Sequence, residues 1–144
     1  MTHPFDPAAF ADSTGDAIVA AGADGVIVYW NQAAVRIFGH AADEAVGHPL
    51  EIIIPERLRA RHSHGFAATM ASGETRYATD LLRVPALHKD GRALSIAFTV
   101  TLMHSSADNA RIIVATIRDE TARWNEERAL KRRITELEAH VTKR

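Results

Sequence analysis

With 144 residues, 47% of them hydrophobic, the chain has room for one domain with a true core and is too short for two. A formal charge of -1 excludes a protein that grips nucleic acid through a broad basic surplus, and the absence of cysteine excludes disulfides, thiolate metal sites, iron–sulfur clusters and thiol nucleophiles. No basic stretch followed by an apolar core opens the chain and no apolar run reaches bilayer length, so the expectation is a cytoplasmic domain with neither nucleic-acid nor membrane partners.

Pro7–Ser13, in an Ala-rich lead, predicts one or two helical turns. Ala17–Ala21 reads as a strand, Ala23-Asp24-Gly25 as a tight turn and Val26–Trp30 as the returning strand of a hairpin. Asn31 suits a helix N-cap, with its side-chain oxygen accepting from an orphan amide of the helix Gln32–Phe38, which Gly39 ends. Ala42–Val46 predicts another short helix, stopped at Gly47, and Pro49–Ile54 an extended apolar run. Pro55 then opens a helix that runs to Ser72-Gly73. On it Leu58, His62, Phe66 and Met70 recur every four residues along one face, while Arg57, Arg59, Arg61 and His64 form a solvated face opposite.

Thr79–Leu87 predicts a strand, His88-Lys89-Asp90-Gly91 a turn and Ala93–Met103 an alternating strand, with Leu94, Ile96, Phe98, Val100 and Leu102 on one side. A polar loop, His104–Ala110, leads to the last strand, Ile112–Ile117. Two strands, several short helices and three consecutive antiparallel strands describe an α+β fold, one sheet with the helices gathered on one face. From Asp119 to Arg144 there is neither Gly nor Pro, and Leu130, Ile134, Leu137 and Val141 alternate spacings of four and three over about two heptads. That stripe predicts a helix leaving the domain and a homodimer formed through it; the same stripe also suits a helix folded back on its own sheet.

His62 is the odd member of its apolar face. It fits a neutral core histidine bonded to a carbonyl or neighbouring side chain, a metal or haem ligand, or a general base. The other histidines, His40, His48, His88, His104 and His140, read as solvated. With no Gly-rich phosphate loop, nucleophile motif or carboxylate–histidine cluster, the chain reads as a non-enzyme.

The set ADGVIVYWNQAAVRIFGHAADEAVGHPL, HKDGR and RDET resembles a PAS domain over roughly Asp12 to Trp124. The matching positions are Asp24, Gly25, Asn31, Phe38, Gly39, Glu44, Ala45, Gly47, Asp90, Gly91, Asp119 and Thr121. The resemblance implies a lead over residues 1–14, a PAS domain over 15–119 and a signalling helix over 120–144. It implies a five-stranded antiparallel sheet flanked by short helices, with a pocket between them. Function then reads as sensing or relay in bacterial-type signal transduction, with Asp119 and Thr121 as the junction from which a sheet movement turns the helix. A homodimer, a downstream signalling protein and a small-molecule ligand are the implied partners; an interaction adaptor without a ligand is the alternative.

On the same resemblance, His62, Phe66, Leu82, Ile96, Phe98 and Val100 are the expected pocket residues. A flavin photoadduct is excluded because no cysteine can form it. Arg59-Ala60-Arg61-His62 is similar to the proximal-histidine segment of rhizobial oxygen-sensing haem PAS kinases, which makes haem b through the iron ligand His62 a further alternative. The arginine that faces bound oxygen in those proteins would fall at Leu82, and Arg83, one residue on, points to the opposite face of a strand.

Overall fold

The computed structural model describes residues 3–142. Helix α1 (Pro7–Ser13) is followed by strands β1 (Ala17–Gly22) and β2 (Ile27–Trp30), then by helices α2 (Gln32–Phe38), α3 (Ala42–Ala45) and α4 (Arg59–Ser72). Strands β3 (Leu82–Leu87), β4 (Ala93–His104) and β5 (Arg111–Asp119) complete one antiparallel sheet, and α5 (Thr121–Thr142) leaves it. The five strands lie in the order β2-β1-β5-β4-β3, so the chain's first and last strands are neighbours at the sheet's centre.

Register decides which side chains meet the helices. Val19 pairs with Ala115 and Ala115 with Val100; one rung along, Ala17 meets Ile117, Ile117 meets Phe98, and Phe98 meets Leu82. These rungs share one face because side chains alternate along each strand. Against that face pack Ala33, Ala34 and Phe38 of α2, Ala45 of α3 and Ile53. The alanines let the helices approach closely, and the Trp30 and Phe38 rings, 5.4 Å apart, fill the remaining volume.

Among the described residues Asn31 is the one buried polar residue, and all of its capacity is used. Its Oδ1 accepts from the amides of Ile18 (2.9 Å) and Ala34 (3.0 Å), and its Nδ2 donates to the carbonyls of Ala11 (2.8 Å) and Asp16 (3.0 Å). The expected N-cap is thus also the joint that holds α1, β1 and α2 together.

Several expectations change. Residues 49–54 are not extended: Leu50–Ile53 is a 3-10 turn, fixed by prolines on both flanks and by the Leu50 amide donating to Gly25 O (3.0 Å). Thr79–Leu81 lie outside β3, because Thr75 caps a further 3-10 turn, Arg76–Ala78, through its hydroxyl (3.1 Å from the Tyr77 amide). Arg59 does not belong to a solvated face, since its Nε donates to Ile54 O at 3.0 Å. His40 and His88 are not solvated either: the His40 Nε2 is buried, and the His88 ring lies where a Cβ on Gly39 would sit, 2.5 Å from its Cε1. Gly39 also holds φ 84, so both space and backbone demand glycine there. The end of the terminal helix as expected, residues 143–144, lies outside the described residues.

Candidate functional site

Strand β4 runs further than β3: their pairing ends at Leu82 opposite Phe98, while β4 continues to His104. Past Phe98 the strand meets the bowed segment Gly73–Ala78 instead of a partner strand. Between them opens a cleft of about 760 Å³, walled by Gly73–Arg76 and Ala78 on one side and Val100–Leu102 on the other. Its walls are apolar at Ala78, Val100 and Leu102 and polar at Glu74, Thr75, Arg76 and Thr101. That mixture suits a small amphiphilic molecule oriented by a few polar groups.

The bow has local causes. Gly73 ends α4 in the left-handed conformation, φ 74. Arg111, at the start of β5, donates to Met70 O (2.6 Å), and its guanidinium would stand 2.7 Å from any Cβ on Gly73. A cation there meets the carbonyl end of α4, the favourable end of the helix dipole for positive charge.

The expected pocket residues divide. Val100 lines the cleft. Leu82 and Phe98 face each other across β3 and β4, and Ile96 lies on the same face beside Val84. His62 and Phe66 form a separate pair on α4, with ring centroids 5.9 Å apart and planes 30° apart. Phe66 reaches the β1–β2 turn, where its Cε1 is 3.9 Å from the position of a Cβ on Gly25. The cleft lining includes neither His62 nor Phe66.

His62 is half-buried, and among the described residues its ring nitrogens make no hydrogen bond, unlike the carbonyl-bonded core histidine considered from sequence. Burial pushes its pKa below the ordinary histidine value, with Glu51 opposing the shift. The ring is therefore neutral near pH 7 with a lone pair free, the state that a metal ligand needs. The space beside it is less suitable for haem, because the cleft runs along β4 and does not reach the imidazole. Among the described residues no three histidine or acidic side chains gather as a metal site, and no helix is long and apolar enough to cross a membrane.

At the other end of β4 lies the junction with α5. The Thr121 amide donates to Asp119 Oδ1 (2.9 Å), and the Thr121 Oγ1 accepts from the Ser95 amide (3.0 Å). The Glu120 amide donates to Ser95 O (2.8 Å), and its carboxylate pairs with Arg83 of β3 (3.3 Å). Glu120 and Thr121, at the root of α5, are thus bonded to the two strands that carry Val100 and Leu82. Asp119 and Thr121 stand where expected; Ser95, Arg83 and Glu120 were not foreseen, although a Glu beside the Asp-x-Thr and an Arg on the outward register were readable signals. Beyond this root α5 has no buried residue among those described, and Leu130, Ile134, Leu137 and Val141 are 60%, 54%, 56% and 70% exposed. The alternative of a helix folded back on its own sheet is overturned by this exposure.

A family model described as the PAS fold matches residues 6–119. The chain is similar to an uncharacterised protein of Azorhizobium caulinodans, 37% identical over 125 residues, which are 86% of this chain and 17% of that protein. It therefore spans less than a fifth of that relative's length. Among solved structures, the PAS domain of a Colwellia psychrerythraea protein matches with a TM-score of 0.66 and 21% identity, covering 80% of this chain and 94% of the other. A PAS domain from Desulfitobacterium hafniense matches at 0.64 and 18%, covering 77% and 98%. An RNA-binding light-oxygen-voltage receptor matches at 0.66 and 20%, covering 94% of this chain and 40% of that one. At these identities the likeness is one of fold.

Proposed function

The chain belongs to the PAS family, whose domains are generally sensory, and on that premise we propose a sensory and relay module that works as a homodimer. It takes a small amphiphilic ligand in the β4 cleft and passes the resulting strain to α5, which hands it to a downstream signalling protein. One observation carries this reading: the start of α5 is hydrogen-bonded to Ser95, on the same strand that walls the cleft at Val100 and Leu102. A ligand that pushes on Val100 loads a continuous, paired strand, and close-packed strands transmit displacement instead of absorbing it. Thr121 is where that displacement becomes a change in helix direction.

The reading is tested without knowing the ligand by filling the cleft from within. Val100→Trp should shift the backbone amide resonances of residues 121–128 in a heteronuclear NMR spectrum. The same change in a Thr121→Val background, which lacks the bond to Ser95, should leave those resonances where Thr121→Val alone puts them. Resonances of α5 that ignore Val100→Trp would contradict the relay.

A second reading has one observation in its favour. The half-buried, neutral and unbonded His62 supports haem b ligation. Adding haemin should then give a sharp Soret band that His62→Ala weakens or shifts, whereas a broad spectrum indifferent to that substitution removes the haem reading. An adaptor with no small-molecule ligand is the outcome if no compound raises the melting temperature and the Val100→Trp protein signals normally.

A further inference from the structure

Strand β4 offers the cleft more than apolar walls, because past Phe98 it is an open sheet edge. In an antiparallel ladder, alternate residues turn their N–H and C=O groups to opposite neighbours. Ser95 O accepts from the Glu120 amide (2.8 Å), and the Ser105 amide donates to Ala110 O (2.7 Å). The odd-numbered residues of β4 therefore bond toward β5. The even-numbered register bonds toward β3, as Arg92 O, one residue before β4, does in accepting from the His88 amide (3.0 Å). Pairing with β3 ends at Phe98, so Val100 and Leu102 turn both backbone groups to the cleft and meet no backbone partner among the described residues. Val100 is only 7% exposed. A polar main-chain edge at a nearly buried residue is one that an added strand satisfies.

The two residues present two donor–acceptor pairs, about 6.8 Å apart along an extended strand. A plain hydrocarbon chain meets none of these four groups, whereas a peptide meets them all. Three extended residues span about 10 Å, enough for the first and third to face Leu102 and Val100. The cleft, about 760 Å³, holds a molecule of that size. The side chains of those two ligand residues would fall on the same sheet face as Val100 and Leu102, so small apolar side chains suit both.

The opposite wall gives the ends of such a peptide a direction. Gly73 lies against Arg111, which pairs with His104, and the chain then runs on to Leu82 opposite Phe98. Glu74 is thus nearer the Leu102 end of the cleft and Arg76 nearer the Val100 end. Neither has an ion-pair partner among the described residues. The Arg76 guanidinium lies over the Tyr77 ring, 5.1 Å from its centroid, and donates to the Tyr77 hydroxyl (2.8 Å). A peptide antiparallel to β4 brings its amine to Glu74 and its carboxylate to Arg76, whereas a parallel one sets like charges together. Resting on the reading of the cleft as a ligand site, we propose that its ligand is a short free peptide, about three residues long. It binds as an antiparallel strand on Val100 and Leu102, with its amine at Glu74 and its carboxylate at Arg76.

Trialanine is the probe, added to the full chain and followed by heteronuclear NMR and calorimetry. The Val100 and Leu102 amide protons should move downfield and exchange more slowly. Trialanine amide, which lacks the carboxylate, should bind the wild-type chain about tenfold more weakly, as should trialanine itself to Arg76→Gln. Arg76→Gln should bind the amide no more weakly than wild type does, because the charge that Arg76 meets is already gone. Acetyl-trialanine should follow the same pattern with Glu74→Gln. Trialanine methylated on its third nitrogen loses the bond to Val100 O and should also bind more weakly. A doubly blocked trialanine that binds as tightly as the free peptide overturns the charged ends and points to a segment within a protein. Octanoate that moves the Val100 and Leu102 resonances where trialanine does not overturns the peptide and leaves the cleft as a ligand site. If neither probe moves a cleft resonance the peptide is overturned, and the relay falls with it only if α5 also ignores Val100→Trp.

Discussion

Two residues carry consequences that local sequence does not advertise. Asn31 was legible as a helix cap, because a short amide before an apolar helix is a strong signal. Its three other bonds were not, since they depend on α1 folding back beside β1. Asn31→Ala strands buried donors and acceptors from three segments and should cost about 3 kcal/mol, read as a lower urea midpoint with unchanged slope. The sequence places His40 in a loop, where a solvated ring is expected. In the fold its carbonyl accepts from the Trp30 indole (3.0 Å), which draws the ring into the core edge-on to Trp30, and its Nε2 is left buried without a partner. Burial lowers the His40 pKa, opposed by Glu44 and reinforced by Lys89, His88 and His48, and burial lowers that of His62 as well. For both, the folded-state pKa lies below the unfolded value of about 6.5, so their stabilisation is complete above that pH and is lost as pH falls through it toward the folded values. The exposed carboxylates with lowered pKa values, Glu44, Asp90 and Asp108, act in a more acidic window. Urea midpoints should therefore fall between about pH 7 and 5.5, and His40→Gln with His62→Gln should flatten that fall. A wild-type midpoint that is level or rises over this range would show that these rings are not buried in neutral form.

At the scale of elements, what was legible followed from periodicity and punctuation. Helix α2 appears with the bounds that Asn31 and Gly39 imply, and Leu94, Ile96 and Val100 of β4 are buried as their alternation implies, although Ala97 is buried as well. The cleft was not legible, because it arises from an element that stops short. Leu81 and Thr79 continue a strand-like pattern, but Thr75 and Gly73 bend the chain away first. Only Val100 among the expected pocket residues lines the resulting space, and Phe66, stacked on His62, reaches the β1–β2 turn instead. The junction was half legible: Asp119 and Thr121 were marked by motif, while Ser95 and Arg83 needed the register of β3 and β4. Thr121→Val leaves the Ser95 amide without its acceptor and should destabilise the domain by about 1–2 kcal/mol. Amide exchange should accelerate at residues 121–125, while the exchange of β1 and of β5 up to Ile117 stays at the wild-type rate relative to global unfolding. Uniform acceleration across the sheet would mean that the bond holds the core and not the joint.

For the molecule as a whole, the PAS domain and α5 divide the work. The domain has a single alanine-lined core, tied by Asn31 and by the Arg118–Asp16 pair (3.2 Å) at its entry and exit, while α5 exposes an apolar stripe that the domain leaves uncovered. A stripe of that kind is costly in water, and in the proposed homodimer a second copy covers it. Leu130→Asp with Leu137→Asp should accordingly give a folded monomer by sedimentation, with the circular dichroism of α5 reduced and that of the sheet retained. The central claim is that the cleft and the paired helices are coupled through Thr121, and its most direct test is a distance between the helices. With a spin label at Glu136→Cys, on the outward side of α5, electron–electron resonance should give one interhelical distance distribution in otherwise wild-type dimer and a displaced one with Val100→Trp. The displacement should vanish when Thr121→Val is added. Identical distributions with and without Val100→Trp, in protein that remains folded and dimeric, would contradict the account.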